Sequence, residues 1–254
     1  KIHTISLYNN EISGSLPASI GSLRGLVNIY FDKNDLVGTI PPQIGALEHL
    51  EELHLFGNKL TGTLPSELGL LLNLKRLWLS NNQFNGQIPP EVDNMKSLTA
   101  LYIDQNSLTG EIPSSIANAN SLTDIRLYKN KLTGTIPNGL ISLQDLDTLY
   151  LDHNRLEGEI PIWIGFLSNL LYLDLSTNQF GGNIPHELGN LKDLLVLSLA
   201  DNQFDGEISD TFGNLSKLRQ FDLSGNKLSG SVPDGLCKMN IPEFIVDCTL
   251  TCTC

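Results

Sequence analysis

The residues able to do chemistry include three aspartates, Asp32, Asp104 and Asp152, each two positions after a tyrosine: Tyr30, Tyr102 and Tyr150. Two carboxylates about 5 to 10 Å apart in a water-excluding cleft would hydrolyse a glycosidic bond. The strand spacing derived below places Asp104 and Asp152 two strands apart, about 10 Å backbone to backbone, on an open sheet with no cleft. These acids are better suited to gripping a cationic group or hydrogen-bonding hydroxyls than to catalysis. The five histidines, His3, His49, His54, His153 and His186, fall on different expected faces and make no metal site; His54 alone is a candidate contact. Cys237, Cys248, Cys252 and Cys254 crowd into the last eighteen residues without a CxxC pair. That pattern favours a local disulfide knot in an oxidising compartment over zinc, with three pairings open. Asn214-Leu215-Ser216 is the only glycosylation sequon. Phosphate loops, nucleophile elbows and kinase signatures are missing, so no enzyme, cofactor or metal is expected.

The elements that position these residues follow from a repeat. Asn10, Asn34, Asn58, Asn82, Asn106, Asn130, Asn154, Asn178, Asn202 and Asn226 recur every 24 residues without insertion or deletion. One copy runs Leu50-Glu51-Glu52-Leu53-His54-Leu55-Phe56-Gly57-Asn58-Lys59-Leu60-Thr61-Gly62-Thr63-Leu64-Pro65. Leu53 and Leu55 alternate as a short strand pointing into the core, which leaves His54 and Phe56 outward. Asn58 sits where the chain leaves the strand, and its amide can satisfy backbone groups that a buried turn would orphan. Pro65 opens a helical or irregular return segment, 66–74, that drops Leu68, Leu71 and Leu74 back into the core. One such unit cannot bury its own apolar face, so stability must come from stacked neighbours.

The stretches Leu108-Thr109-Gly110-Glu111-Ile112-Pro113 and Leu132-Thr133-Gly134-Thr135-Ile136-Pro137 resemble the plant-specific class of leucine-rich repeats, a resemblance that covers residues 2 to about 236. It implies an α/β repeat solenoid: a right-handed superhelix with a parallel sheet on its concave face and short helical or irregular segments on its convex face. A second short strand per repeat is implied as well. Residues 1–236 are expected to form ten repeats, and 237–254 a cysteine-rich C-terminal cap with Ile241, Phe244 and Val246 plugging the core. Ser209 stands where the pattern has proline, and nothing before Lys1 resembles the family's N-terminal cap, so an intact protein should carry one. Family members include receptor-kinase ectodomains, receptor-like proteins and polygalacturonase-inhibiting proteins, all of which use the solenoid for recognition.

Recognition should then lie on the outward strand positions. The central one reads Ser6, Tyr30, His54, Trp78, Tyr102, Arg126, Tyr150, Asp174, Ser198 and Asp222; the next adds Phe56, Asp104, Tyr128 and Asp152. Rings and an arginine fill repeats two to seven, and small polar residues follow. Exposed Trp, Tyr and Arg are enriched at recognition hot spots. Trp78 and Tyr102 are expected to face solvent, so that replacing both leaves the fold intact. The reading is a non-catalytic, extracellular or cell-surface module binding a peptide, protein or glycan through Tyr30, His54, Phe56, Trp78, Tyr102, Asp104, Arg126, Tyr128, Tyr150 and Asp152. Ile162, Trp163 and Phe166, with Ile141 beside them, form a second, apolar contact patch on the return segments. The net charge of −12 disfavours nucleic acid, and no run is long and apolar enough to span a membrane. Two further functions are weighed: inhibition of a secreted polysaccharide-degrading enzyme, and ice binding. The best flat row for ice, beginning Ser15, Thr39 and Thr63, is broken by Glu111, Glu159 and Glu207.

Overall fold

A computed structural model describes residues 2–247, 250 and 251. The chain divides into two compact units, Lys1–Leu132 and Thr133–Cys254. Both are built from the same repeat, and the fold is a repeat solenoid.

In the first unit, the strands Thr4–Ser6, Asn28–Tyr30, Glu52–His54, Arg76–Trp78, Ala100–Tyr102 and Asp124–Arg126 form one parallel sheet. Because the repeat never changes length, the register is the sequence period: Tyr30 pairs with His54, His54 with Trp78, Trp78 with Tyr102. A second parallel sheet joins Ser13–Ser15, Asp35–Gly38, Lys59–Thr63, Gln83–Gly86 and Ser107–Glu111. Short 3₁₀ turns such as Ser66–Leu70 close each repeat after its proline. Leu53, Leu55, Leu60, Leu68, Leu71 and Leu74 are fully buried, as their spacing requires.

Asparagines hold the strand exits. The Asn58 amide donates to the carbonyls of Phe31, Leu55 and Phe56 at 3.0 to 3.4 Å, and its oxygen accepts the Leu36 N–H at 3.0 Å. The residue before each asparagine adopts the left-handed conformation. Glycine does so at Gly57 (φ 67°), but Lys33, Asn81, Gln105, Lys129, His153, Thr177 and Asp201 do so at φ 50–53°.

The second unit repeats the plan with Thr148–Tyr150, Tyr172–Asp174, Val196–Ser198 and Gln220–Asp222. Ser209 replaces proline without loss of the turn, because its hydroxyl accepts the Thr211 N–H at 3.3 Å and so caps Asp210–Asn214. Beyond the repeats, the helix Asp234–Cys237 packs on that turn, and Glu243–Ile245 adds a parallel strand beside Gln220–Asp222. Phe244 stacks on Phe221, with centroids 5.4 Å apart, while the Asp247 carboxylate accepts the N–H groups of Gly225 and Asn226. Ile241, Phe244 and Val246 are half-buried; Leu250, outside the expected plug, is buried. Cys237 is disulfide-bonded, and Cys248, Cys252 and Cys254 lie outside the described residues.

Candidate functional site

On the outward face of the first unit's longer sheet, side chains one strand apart are close enough to touch. Tyr30 meets His54 edge-on at 4.8 Å, His54 stacks on Trp78 at 3.9 Å, and Trp78 stacks on Tyr102 at 5.3 Å. The Arg126 guanidinium lies 4.3 Å over the Tyr102 ring, and Phe56 abuts Trp78 edge-on at 6.2 Å. Five members of the expected row, Tyr30 to Arg126, therefore touch in succession, with Tyr30 set edge-on and the next rings stacked.

Its two ends are held by carboxylates that the sequence reading passed over. Tyr30 donates its hydroxyl hydrogen to Glu52 at 2.8 Å, and Glu52 also pairs with Arg76. Tyr102 donates to Asp124 at 2.5 Å, and Asp124 takes a two-pronged contact from Arg126 at 2.8 and 3.0 Å. Glu52, Arg76 and Asp124 occupy the outward position two residues before the ring row. The alternation that exposed His54 also places Glu52 outward, and that was the available signal.

Stacking buries what was expected to be free. His54 keeps only 7 % of its surface, and burial lowers its pKa to about 4 despite the Glu52 carboxylate; Arg76 lowers it further. It is neutral and forms an internal layer of the wall. Trp78 and Tyr102 are half-buried rather than open to solvent, and the Trp78 Nε1 and His54 Nε2 atoms are buried without hydrogen-bond partners. The Tyr30 hydroxyl is pushed up to about 12, by burial first and by its bond to Glu52 second.

The acids differ from expectation in the same way. Asp104 is 2 % exposed, accepting from Ser80 at 2.5 Å and Gln105 at 3.2 Å. Burial also raises the pKa of Asp32. In the second unit, burial and the nearby Asp174 push Asp152 up to about 6, against the hydrogen bond it shares with His153 at 2.9 Å. Tyr150 meets Tyr172 edge-on at 6.4 Å. All three carboxyls are buried in the sheet face.

On the return side, Ile162, Phe166 and Ile141 are exposed, but Trp163 is buried and donates its indole N–H to Asn138 at 3.0 Å. The expected tryptophan-centred patch thus reduces to aliphatic residues and Phe166. In the first unit Leu70, at the position of Phe166, and Leu72 are more exposed still, at 58 % and 57 %, and were missed. Asn214 is exposed at the end of its turn. Among the described residues no group of three or more His, Cys, Asp or Glu is placed to hold a metal. No helix among them is long and apolar enough to cross a membrane.

The profile of the Leucine Rich Repeat matches residues 1–23, 49–71, 73–95, 169–191, 193–215 and 217–239, and a second Leucine rich repeat profile matches 96–156. The chain is a leucine-rich-repeat protein. No curated protein sequence matches it. Among solved structures, the plant peptide hormone receptor RGFR1 in complex with RGF2 is 32 % identical with a TM-score of 0.90, over 95 % of this chain and 38 % of that one. The Arabidopsis receptor kinase HAESA, in complex with the peptide hormone IDA and the co-receptor SERK1, is 33 % identical with a TM-score of 0.82, over 95 % and 44 %. A plant ice-binding protein is 31 % identical with a TM-score of 0.79, over 98 % of this chain and 83 % of that one. This leucine-rich-repeat chain is thus of the plant type, and it spans less than half the length of either receptor chain.

Proposed function

We propose that the chain is a non-catalytic, extracellular recognition module that binds an extended peptide across the outward face of the longer sheet in the first unit. The observation that carries the reading is the pile Tyr30–His54–Trp78–Tyr102–Arg126, continuous over five strands. At about 4.8 Å per strand it offers a wall roughly 20 Å long, the reach of a six-residue extended peptide. Its layers are already ordered by their neighbours, which lowers the entropy cost of binding. Two of the similar structures, RGFR1 and HAESA, hold peptide hormones.

The same geometry favours peptide over glycan. A sugar ring stacks on a free aromatic face, whereas the faces of Trp78 are taken by His54 and Tyr102, and Arg126 covers Tyr102. Ring edges and the outer sides of the paired Arg76 and Arg126 guanidinium groups, 48 % and 37 % exposed, are what a ligand would meet. The test is selection of a displayed random-peptide library on the full chain. Enriched peptides should bind Phe56→Ser and Arg126→Gln at least tenfold more weakly and Ile162→Ser equally well. Peptides indifferent to the first two substitutions and lost with the third would overturn the reading.

A second reading, ice binding, is favoured by the coverage of 83 % of the ice-binding protein. The shorter sheet would serve it: the methyls of Thr39 and Thr63 lie against Gly62 and Gly86, with Thr61 and Thr109 in the adjacent row. Glu111 interrupts the row of Thr39 and Thr63. Thermal hysteresis in a freezing assay, lost in Thr61→Lys, would select it.

A further inference from the structure

We propose that Asn214 carries an N-linked oligosaccharide, an inference that rests on the extracellular reading above. Asn214-Leu215-Ser216 is the only Asn-x-Ser/Thr triplet in the chain. A triplet alone says little, but its placement says more. Asn214 ends the turn Asp210–Asn214 with its side chain exposed, Leu215 is fully buried as the anchor, and Ser216 is exposed again. Both chemically required side chains therefore reach solvent while the residue between them fixes the backbone. The Ser216 N–H donates to the Asn214 carbonyl at 2.8 Å, closing a tight turn that holds the amide and the hydroxyl on one short surface loop.

The Asn214 amide has no hydrogen bond of its own. At the same turn position Asn118 reaches Asp93 at 3.5 Å, whereas Asn94 and Asn190, like Asn214, make no side-chain hydrogen bond; of these only Asn214 is followed by the required hydroxyl at the second position. Asn214 does no structural work, so modifying it breaks nothing. The donor is a lipid-pyrophosphate-linked oligosaccharide of the secretory pathway. The amide nitrogen bonds to C1 of the first sugar, the C1–O bond to pyrophosphate breaks, the amide loses one proton, and the lipid pyrophosphate leaves. The turn is followed by the buried Leu215 and Leu218 before the chain reaches Gln220–Asp222, so the glycan projects from the return side and leaves the strand face open.

The full chain, secreted from a eukaryotic host, should migrate as a heavier band that collapses on treatment with peptide N-glycosidase, leaving aspartate at 214 in peptide mass maps. Asn214→Gln and Ser216→Ala should abolish the band, and Ser216→Thr, which keeps the hydroxyl, should retain it. All three should keep the parent denaturation midpoint, since none removes a contact. Secreted, folded protein with unmodified Asn214 overturns the proposal. Peptide binding by Asn214→Gln is a separate readout: its loss would count against the strand-face site, while a missing glycan with binding intact would count against this inference alone.

Discussion

His54 and Trp78 lie face to face, ring centroids 3.9 Å apart and planes 11° from parallel, with the imidazole almost entirely withdrawn from water. A neutral imidazole and an indole can share a surface this closely because neither carries a charge that must be solvated. The cost is two buried nitrogens without a hydrogen bond, Trp78 Nε1 and His54 Nε2, the latter 3.5 Å from the Glu52 carboxylate. Each unpaired buried group costs about 1–3 kcal/mol, which stacking and burial of the rings must offset.

Truncating the wall should therefore damage the fold as well as any binding. Trp78→Ala removes a layer between His54 and Tyr102, and a loss of about 2–4 kcal/mol is expected in urea denaturation. Trp78→Phe, which keeps a ring and removes the orphaned N–H, should cost less than about 1 kcal/mol. Equal losses for the two would mean that stacking is not what holds the row.

The pH response of the first unit follows from His54. Its folded pKa of about 4 lies below the ordinary 6.5, so the unfolded chain binds the proton more tightly. The neutral, folded-state advantage is complete above 6.5 and is lost as pH falls from 6.5 to 4, by up to about 3 kcal/mol. Denaturation midpoints should drop over that window, and His54→Gln should flatten the slope.

Asp152 gives the second unit a slope of opposite sign. Its folded pKa of about 6 lies above the ordinary 3.8, so the native state holds the proton more tightly. Its contribution is most favourable below 3.8 and is lost as pH rises from 3.8 to 6. Asp152→Asn removes the buried charge and the repulsion from Asp174; at pH 7 it should raise stability by roughly 1–2 kcal/mol. Hydrogen exchange resolved by residue would read the two units separately.

The period told nearly everything about the fold and less about the site. Invariant 24-residue spacing forces a parallel, in-register sheet, so Tyr30, His54, Trp78 and Tyr102 had to be neighbours. The degree to which neighbours cover one another depends on side-chain directions, which alternation does not encode. Trp163 illustrates this: its turn position reads as exposed, but Asn138, 25 residues back, accepts its N–H and draws it in. Asp104, suited by its position to grip a cationic group, is covered in the same way, by Ser80 a full repeat earlier.

Left-handed positions before the asparagines offer a gain rather than a loss. Thr177 is β-branched and sits at φ 52°, where its Cβ crowds the backbone; Gly57 fills the equivalent place at φ 67° without that cost. Thr177→Gly should stabilise by about 1 kcal/mol and Gly57→Ala should destabilise by a similar amount. Thermal melts of the two variants should move in opposite directions; a shared direction would rule out backbone strain as the cause.

The asparagine ladder should be the most sensitive element of all, and unevenly so. Asn58 is 9 % exposed and satisfies the N–H of Leu36 and the carbonyls of Phe31, Leu55 and Phe56, groups that water cannot easily reach. Asn58→Ala leaves them unpaired, at about 1–3 kcal/mol for each fully buried group, so a loss of roughly 3–5 kcal/mol is expected. Asn10 makes only two such bonds, to Leu7 and Tyr8, and both are exposed. Water can replace its amide there, and Asn10→Ala should cost about 1 kcal/mol or less. Asn58→Asp separates donor from shape: the side chain fits, but a carboxylate would face three carbonyls with nothing to donate. It should be at least as damaging as alanine in urea midpoints. An aspartate tolerated at 58 would mean that the amide hydrogens are not what ties one repeat to the next.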